Sequence, residues 1–409
     1  MAGLIWIGHR GSDAEILASI APIHAIICCD WDASLCALSK DISVSSVERA
    51  SLKRQVWSSA SLGSLNQKAL RAILERLSPD QPIAIVPYRS THWIEDTVSS
   101  FPYVRLAAAR AELVETLDDK VVQRKLFAEL GLPTPRWSVV NTGQRAEIGA
   151  LGNVAFPAVA QLPRGSLGIG TFLVESDYEI QKLNVVPGER LLVSEYLPGL
   201  VVNATAVVGR GNIYLGWPSV QLVGLPTCAE GEYPFRYYGN DFGAISYLPP
   251  EAINSLFSHI RTLVSGLRTL GFLGIFGTDW IFNDGRWYIL ELNPRFQGST
   301  LCLTTLEREA GIVPLVIEHL RAFWPESAIS ETRRRPPTPE PLRGGQIVLY
   351  QQHGDWVTID NLVEGFSRRI SADSERWRII GVPVAGTKVA PGSIVARLYT
   401  SGSILGFEP

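Results

Sequence analysis

Cysteine, histidine and methionine are all scarce in this chain of 409 residues, which has five, six and one of them. The cysteines (Cys28, Cys29, Cys36, Cys228 and Cys302) are odd in number and lack zinc-ligand spacing, so they read as reduced thiols rather than a disulfide frame or a metal knot. No two histidines stand four apart, which removes the helical zinc signature, and no zinc site is expected. An excess of one charge is missing too. A formal net charge of −3 and a pI near 6.1 give no electrostatic reason to expect nucleic acid or a membrane surface as a partner. There is no G-x-S-x-G and no Cys/His pair at a recognisable spacing, so a covalent nucleophile is not expected. The first apolar run, Leu4 to Gly8, is short and is followed by His9, Arg10 and Asp13. It suits a strand better than a leader or a membrane span, and the cytoplasm is the expected compartment.

What is present is a well-packed composition, 46% hydrophobic and 19% charged, at a length that suggests two or three domains. Up to about residue 105, short apolar strands (Leu4–Gly8, Ala25–Cys29, Ile83–Pro87) alternate with helical patterns around Asp13–Ile20 and Gln67–Leu77. That alternation predicts an α/β fold with a doubly wound parallel sheet. Gly8-His-Arg-Gly11 and Asp30 imitate a dinucleotide fingerprint, but the third glycine is missing and a tight turn explains the other two. Val121 to Leu130 reads as a helix opened by Asp118-Asp119-Lys120 and closed by Gly131. Glu251 to Leu270 is a second, with Leu256, Phe257, Ile260, Leu263, Val264, Leu267 and Leu270 on its core face. Phe235 to Phe242 reads as a loop.

The most informative stretch runs from Gly277 to Gly298 and predicts a β-hairpin. Side chains alternate along its second strand, so Glu291 and Asn293 share one face while Leu290 and Leu292 share the other. A hard cation such as Mg²⁺ suits the oxygens of Asp279, Glu291 and Asn293. Counting decides whether they can meet. A two-residue Asp284-Gly285 turn would pair Asp279 with Leu290 and put it on the wrong face. A three-residue loop, Asn283-Asp284-Gly285, is therefore expected, with Asp279 the diagonal neighbour of Glu291.

An acid, a twelve-residue gap, then Glu291-Leu-Asn293-Pro-Arg295 resembles the metal-binding hairpin of the ATP-grasp ligases. The resemblance covers roughly residues 1 to 325, with the motifs in family order. It implies an ATP-grasp fold that binds ATP and Mg²⁺, with Asp279, Glu291 and Asn293 as metal ligands and Arg295 facing the transferring phosphoryl group or the acyl phosphate. It assigns phosphate contact to Lys120 and a glycine-rich lid to Gln161, Arg164, Gly165, Ser166 and Gly168. The adenine hinge falls on Glu195, Tyr196 and Leu197, with the backbone of Glu195 and Leu197 bonding the base edge. Asn203 lies near the ribose or metal, and Arg236 would grip a substrate carboxylate. Two positions depart from the family pattern: Gln161 stands where a lysine is usual, and Asn203 where an acid is common.

The implied organisation is an N-terminal domain over 1–110, ATP-grasp halves over 111–195 and 196–330, a basic, proline-rich linker over 331–343 and a small C-terminal β module over 344–409. That module carries no biotinylation-like sequence. The implied activity is a carboxylate–amine ligase working through an acyl phosphate on small molecules, such as glutamate and a small amine or peptide; a homodimer stays open. The rival is a catalytically impaired nucleotide-binding homologue with a regulatory or scaffold role, which Gln161 and Asn203 favour. Bicarbonate activation is disfavoured by Gln297-Gly298-Ser299-Thr300 after the arginine.

Overall fold

The computed structural model describes residues 3–18, 20–57, 63–80, 83–142, 151–152, 154–165, 168–186, 188–225, 234–324, 331–352, 354–360 and 377–406. Its first part contains β1 (Gly3–Gly8), β2 (Ile23–Cys28), β3 (Ser43–Ser46), β4 (Lys53–Arg54), β5 (Ile83–Pro87) and β6 (Val104–Leu106). All but β4 form a parallel sheet in the order β3-β2-β1-β5-β6. The central strand β1 is buried on both faces: Leu4 and Trp6 enter the main core, while Ile5 and Ile7 pack with Leu70 and Leu74 of the helix Ser64–Leu74. Two-sided burial is why its sequence is continuously apolar. Strand order reverses between β1 and β5, and the crevice at the carboxyl ends of such strands is where open α/β sheets hold ligands. Arg10 leaves β1 there and Tyr88 leaves β5.

The next part is an antiparallel sheet in the order β7-β10-β8-β9, made of β7 (Trp137–Asn141), β8 (Ala158–Gln161), β9 (Thr171–Val174) and β10 (Arg190–Glu195). It has a small core of its own around Val140, Ala160, Leu191 and Val193. The helix Lys120–Glu129 leads into it, capped by Asp119, whose carboxylate accepts from the N–H groups of Val121 and Val122.

The remaining strands are β11 (Leu200–Val208), β12 (Ile213–Leu215), β13 (Ser219–Val223), β14 (Tyr237–Asp241), β15 (Gly274–Asn283), β16 (Arg286–Asn293), β17 (Gly345–Tyr350), β18 (Val357–Thr358), β19 (Trp377–Ile380), β20 (Lys388–Val389) and β21 (Ile394–Thr400). Most of them join one sheet, β16-β15-β11-β13-β14-β17-β21-β19, with β12 beside β11. The helix Pro250–Thr269 buries Ile253, Leu256, Phe257, Ile260, Leu263, Val264 and Leu267. Leu270, expected on the same face, is 48% exposed because the helix ends before it and Phe272 turns into the core instead. No helix of the described residues is long and apolar enough to cross a membrane.

Three further expectations change. Residues 235–242 are not a loop: β14 runs through them, its polar Asn240 and Asp241 fully buried and bonded by distant groups. Asp241 accepts from the N–H groups of Gly243, Ala244, Ile404 and Leu405. The final segment is no appended module, since β17 pairs with β14 and extends the hairpin's own sheet, while β20 pairs with β4 of the first part. The basic stretch before it is anchored. Arg335 is buried, donates to the carbonyls of Leu215 and Val313, and lies 2.7 Å from buried Glu307.

Candidate active site

One cavity of about 990 Å³ lies where the three parts meet, lined from β8, β10, β11, the hairpin β15–β16, the carboxyl ends of β1 and β5, and the C-terminal strands. The hairpin supplies its acidic floor. Asp284 (φ 45°) and Gly285 (φ 74°) both have positive φ, as a two-residue type I′ turn requires. Asn283 accordingly pairs with Arg286 and Phe282 with Trp287. The expected three-residue loop does not form. The ladder shifts instead between Asp279 and Trp280, so that Trp280 pairs with Ile289 but Asp279 with Glu291. Leu290 is the extra residue of a β-bulge, and it faces the cavity beside Glu291 rather than joining Leu292 in the core. The two carboxylates thus share a face, as direct partners rather than diagonal ones.

Asp279 is held by three side-chain amides: Oδ1 accepts from Asn203 at 2.8 Å and from Gln221 at 2.5 Å, and Oδ2 from Asn293 at 3.0 Å. Burial and then the nearby Glu291 charge push its pKa up to about 6, against the opposing effect of the amide donors and Arg295. Glu291 is held differently. Its Oε1 lies 2.9 Å from Nζ of Lys120, which is 5% exposed and also reaches Gly165 O at 3.4 Å. Lys120 therefore sits between the acidic floor and the glycine-rich turn.

Arg295 follows the hairpin and donates to Asn293 Oδ1, the Phe296 carbonyl and the Tyr88 hydroxyl. Its guanidinium also lies 5.5 Å from the Tyr88 ring centroid. Beneath the hairpin Arg124 is almost wholly buried, donates to the Ile289 carbonyl at 2.7 Å, and has its pKa lowered to about 10 by burial. Tyr88, Arg124, Gln221 and Arg397 are cavity residues that sequence reasoning missed. Each comes from an element whose own pattern is ordinary, so no local signal marked them.

The other expected residues divide. Gln161, Arg164, Gly165, Gly168, Glu195, Tyr196, Leu197 and Asn203 all line the cavity, while Ser166 lies outside the described residues. The Glu195 N–H donates to the Arg136 carbonyl, and the Glu195 carboxylate pairs with Arg136. Arg164 meets Glu115 at 3.2 Å. Arg236 is not among the lining groups: it donates to the Gly392 carbonyl at 2.7 Å and stacks 4.1 Å over the Tyr350 ring. It braces the C-terminal strands from between the cavity-lining Phe235 and Tyr237. Among the described residues no three His, Cys, Asp or Glu side chains form a metal-ready group, so the acidic floor rests on two carboxylates and an amide.

Residues 117–299 match the model of the ATP-grasp domain. A D-alanine–D-alanine ligase of Desulforudis audaxviator is 27% identical over 214 residues, 49% of this chain and 67% of that protein. An N5-carboxyaminoimidazole ribonucleotide synthase of Synechococcus elongatus is 38% identical over 195 residues, 46% of this chain and 45% of that protein. The chain thus spans about half to two thirds of the length of these curated relatives. Over its whole length the fold is similar to the ADP complex of an N5-carboxyaminoimidazole ribonucleotide synthetase, at a TM-score of 0.65 and 14% identity, covering 98% of this chain and 92% of that one. Residues 117–299 of the chain carry an ATP-grasp domain.

Proposed function

We propose that this protein is an ATP-dependent carboxylate–amine ligase, activating a small-molecule carboxylate as an acyl phosphate that an amine then captures as an amide. The observation that carries the reading is the paired Asp279 and Glu291 in one cavity with Arg295, Glu291 being backed by the buried Lys120 just outside the lining. The donor set fits a magnesium ion. It is all oxygen, it carries two carboxylates on one face, and the direct partners of Asp279 are neutral side-chain amides. Mg²⁺ is commonly held by only one or two carboxylates plus water and phosphates. Asp279, Glu291 and Asn293 would hold it, and when bound it would neutralise charge on the ATP phosphates.

The chain's own groups do the rest by position and charge. Lys120 acts as the cation on Glu291 in this state, and its ammonium is within reach of the glycine-rich turn for transfer to phosphate oxygens. Arg295, fixed by Tyr88 and Asn293, offers a preorganised guanidinium to the transferring phosphoryl group. Leu197 and Tyr196 supply the surface for the base, with the backbone of Glu195 and Leu197 at its edge. The capture step needs no covalent nucleophile from the protein.

The test is release of ADP when the protein is supplied with ATP, Mg²⁺ and pairs of amino acids or amines. Release that depends on both an acid and an amine supports the ligase. Magnesium-dependent ATP binding without any release would favour the regulatory alternative, to which the uncharged Gln161 on the cavity wall lends support.

A further inference from the structure

We propose that the organic substrate of this site carries a bulky apolar group, an aromatic ring or a branched aliphatic chain, held along a seam where the glycine-rich turn docks on residues 235–236. The inference rests on the ligase reading for its setting and on the seam for its content. Gly168 has φ +80°, and a Cβ placed on it would lie 2.7 Å from the Phe235 carbonyl oxygen and 3.3 Å from the Arg236 nitrogen. Two backbones meet there without room for a side chain. The receiving segment is rigid on its far side: Arg236 donates to Gly392 O and stacks on Tyr350, the Gly224 N–H donates to the Arg236 carbonyl, and the Tyr350 hydroxyl donates to the Tyr237 carbonyl. Arg236 is thus a positioning residue that holds the dock for the turn.

The side chains flanking this seam are apolar and face the cavity. Ile169 follows Gly168 on the turn and Phe235 lies across from it. Val56 and Trp57 reach the same cavity from the end of β4, the strand that β20 ties to the C-terminal part. Ile169 is 52% exposed and Val56 42%, large apolar groups that the fold itself leaves uncovered. Apolar surface lining a cavity gains free energy only when a ligand covers it. A substrate with a matching apolar group gains by covering Ile169 and Phe235 at the seam, with Val56 and Trp57 as further apolar lining of the same cavity. The expectation of glutamate as substrate gives way at this wall to an apolar amino acid or amine.

The experiment measures ADP release with the full chain, ATP and Mg²⁺ on pairs drawn from leucine, phenylalanine, tryptophan, alanine, serine and glutamate. The proposal expects pairs containing leucine, phenylalanine or tryptophan to exceed the others by tenfold or more in kcat/KM. A preference for alanine, serine or glutamate overturns it while leaving the ligase standing. Absence of release with every pair counts against the ligase reading. In that case the same six compounds are tested for thermal stabilisation of the protein with a non-hydrolysable ATP analogue, and failure of the apolar three to stabilise more than the polar three overturns the proposal. Phe235→Ala should raise KM for the apolar substrate at least tenfold with KM for ATP unchanged. Arg236→Ala should lower kcat, Arg236→Lys should restore part of it, and hydrogen exchange at Gly168 to Gly170 should quicken in the Ala variant. Unchanged exchange and kcat in Arg236→Ala overturn the dock.

Discussion

Asp279 stands directly opposite Glu291 across the hairpin because Leu290 is bulged out of the ladder between them. An even, unbulged hairpin closed by the Asp284-Gly285 turn would put the two acids on opposite faces. One extra residue re-aims the strand end toward the cavity, and two carboxylates are brought to share a face in spite of their repulsion. The cost appears in Asp279, whose pKa is raised to about 6 by burial and by Glu291.

Glu291→Gln should abolish turnover and also weaken the fold. The sequence alone would suggest relief from acidic repulsion, but Glu291 is the partner of buried Lys120. Leaving that ammonium uncompensated should lower stability by about 1–3 kcal/mol, read as a lower urea midpoint. Glu291→Gln with Lys120→Met should recover stability without activity. A fully stable single variant would show that the pair does not matter to the fold.

The hairpin motif and the parallel first sheet were legible because their signals are local: a fixed spacing of acids and continuous apolar strands. The two-residue turn had its own local signal in Asp284-Gly285, but the need to bring Asp279 and Glu291 to one face pointed to a longer loop that does not form. The bulge at Leu290 was not, since alternation within one strand carries no information on where the partner strand slips. Nor was β14 legible, because Asn240 and Asp241 spoil its apolar pattern and are satisfied by groups 100 or more residues away, such as Gln346 and Ile404. Arg236 and Arg335 mislead in the same way. An arginine in a loop suggests a ligand and one in a proline-rich stretch looks solvated, and only the folded chain shows Tyr350 under Arg236 and Glu307 beside Arg335.

Arg335→Met tests that anchoring. Glu307 would be left as a buried carboxylate without its partner, and both side chains of the pair are almost wholly inaccessible. A loss of about 3–5 kcal/mol is expected in equilibrium unfolding. A loss below about 1 kcal/mol would return the stretch to the status of a loose linker.

His319 should make stability depend on pH on the acid side. Its ring accepts from the Ile275 N–H and bonds the Ala107 carbonyl, and burial lowers its pKa from 6.5 to about 4. Between those values the unfolded chain binds the proton and the folded one does not. The contribution is therefore fully present above pH 6.5 and is lost as pH falls toward 4, by an amount on the order of 3 kcal/mol. Replacing His319 with Gln should flatten that slope; an unchanged pH dependence would contradict the assignment.

Gln161→Lys should tighten ATP binding about tenfold by adding a charge on the cavity wall. Isothermal calorimetry reads it directly. No change in affinity would mean that Gln161 does not approach the phosphates.

The most direct test of the account is calorimetric titration with a non-hydrolysable ATP analogue, with and without Mg²⁺, in the natural chain and in Asp279→Ala. The paired acids on the bulged hairpin predict binding that strengthens at least tenfold with Mg²⁺, and a magnesium effect that disappears in the variant. Binding that is equally tight without the metal, or a magnesium effect that survives the loss of Asp279, would contradict it.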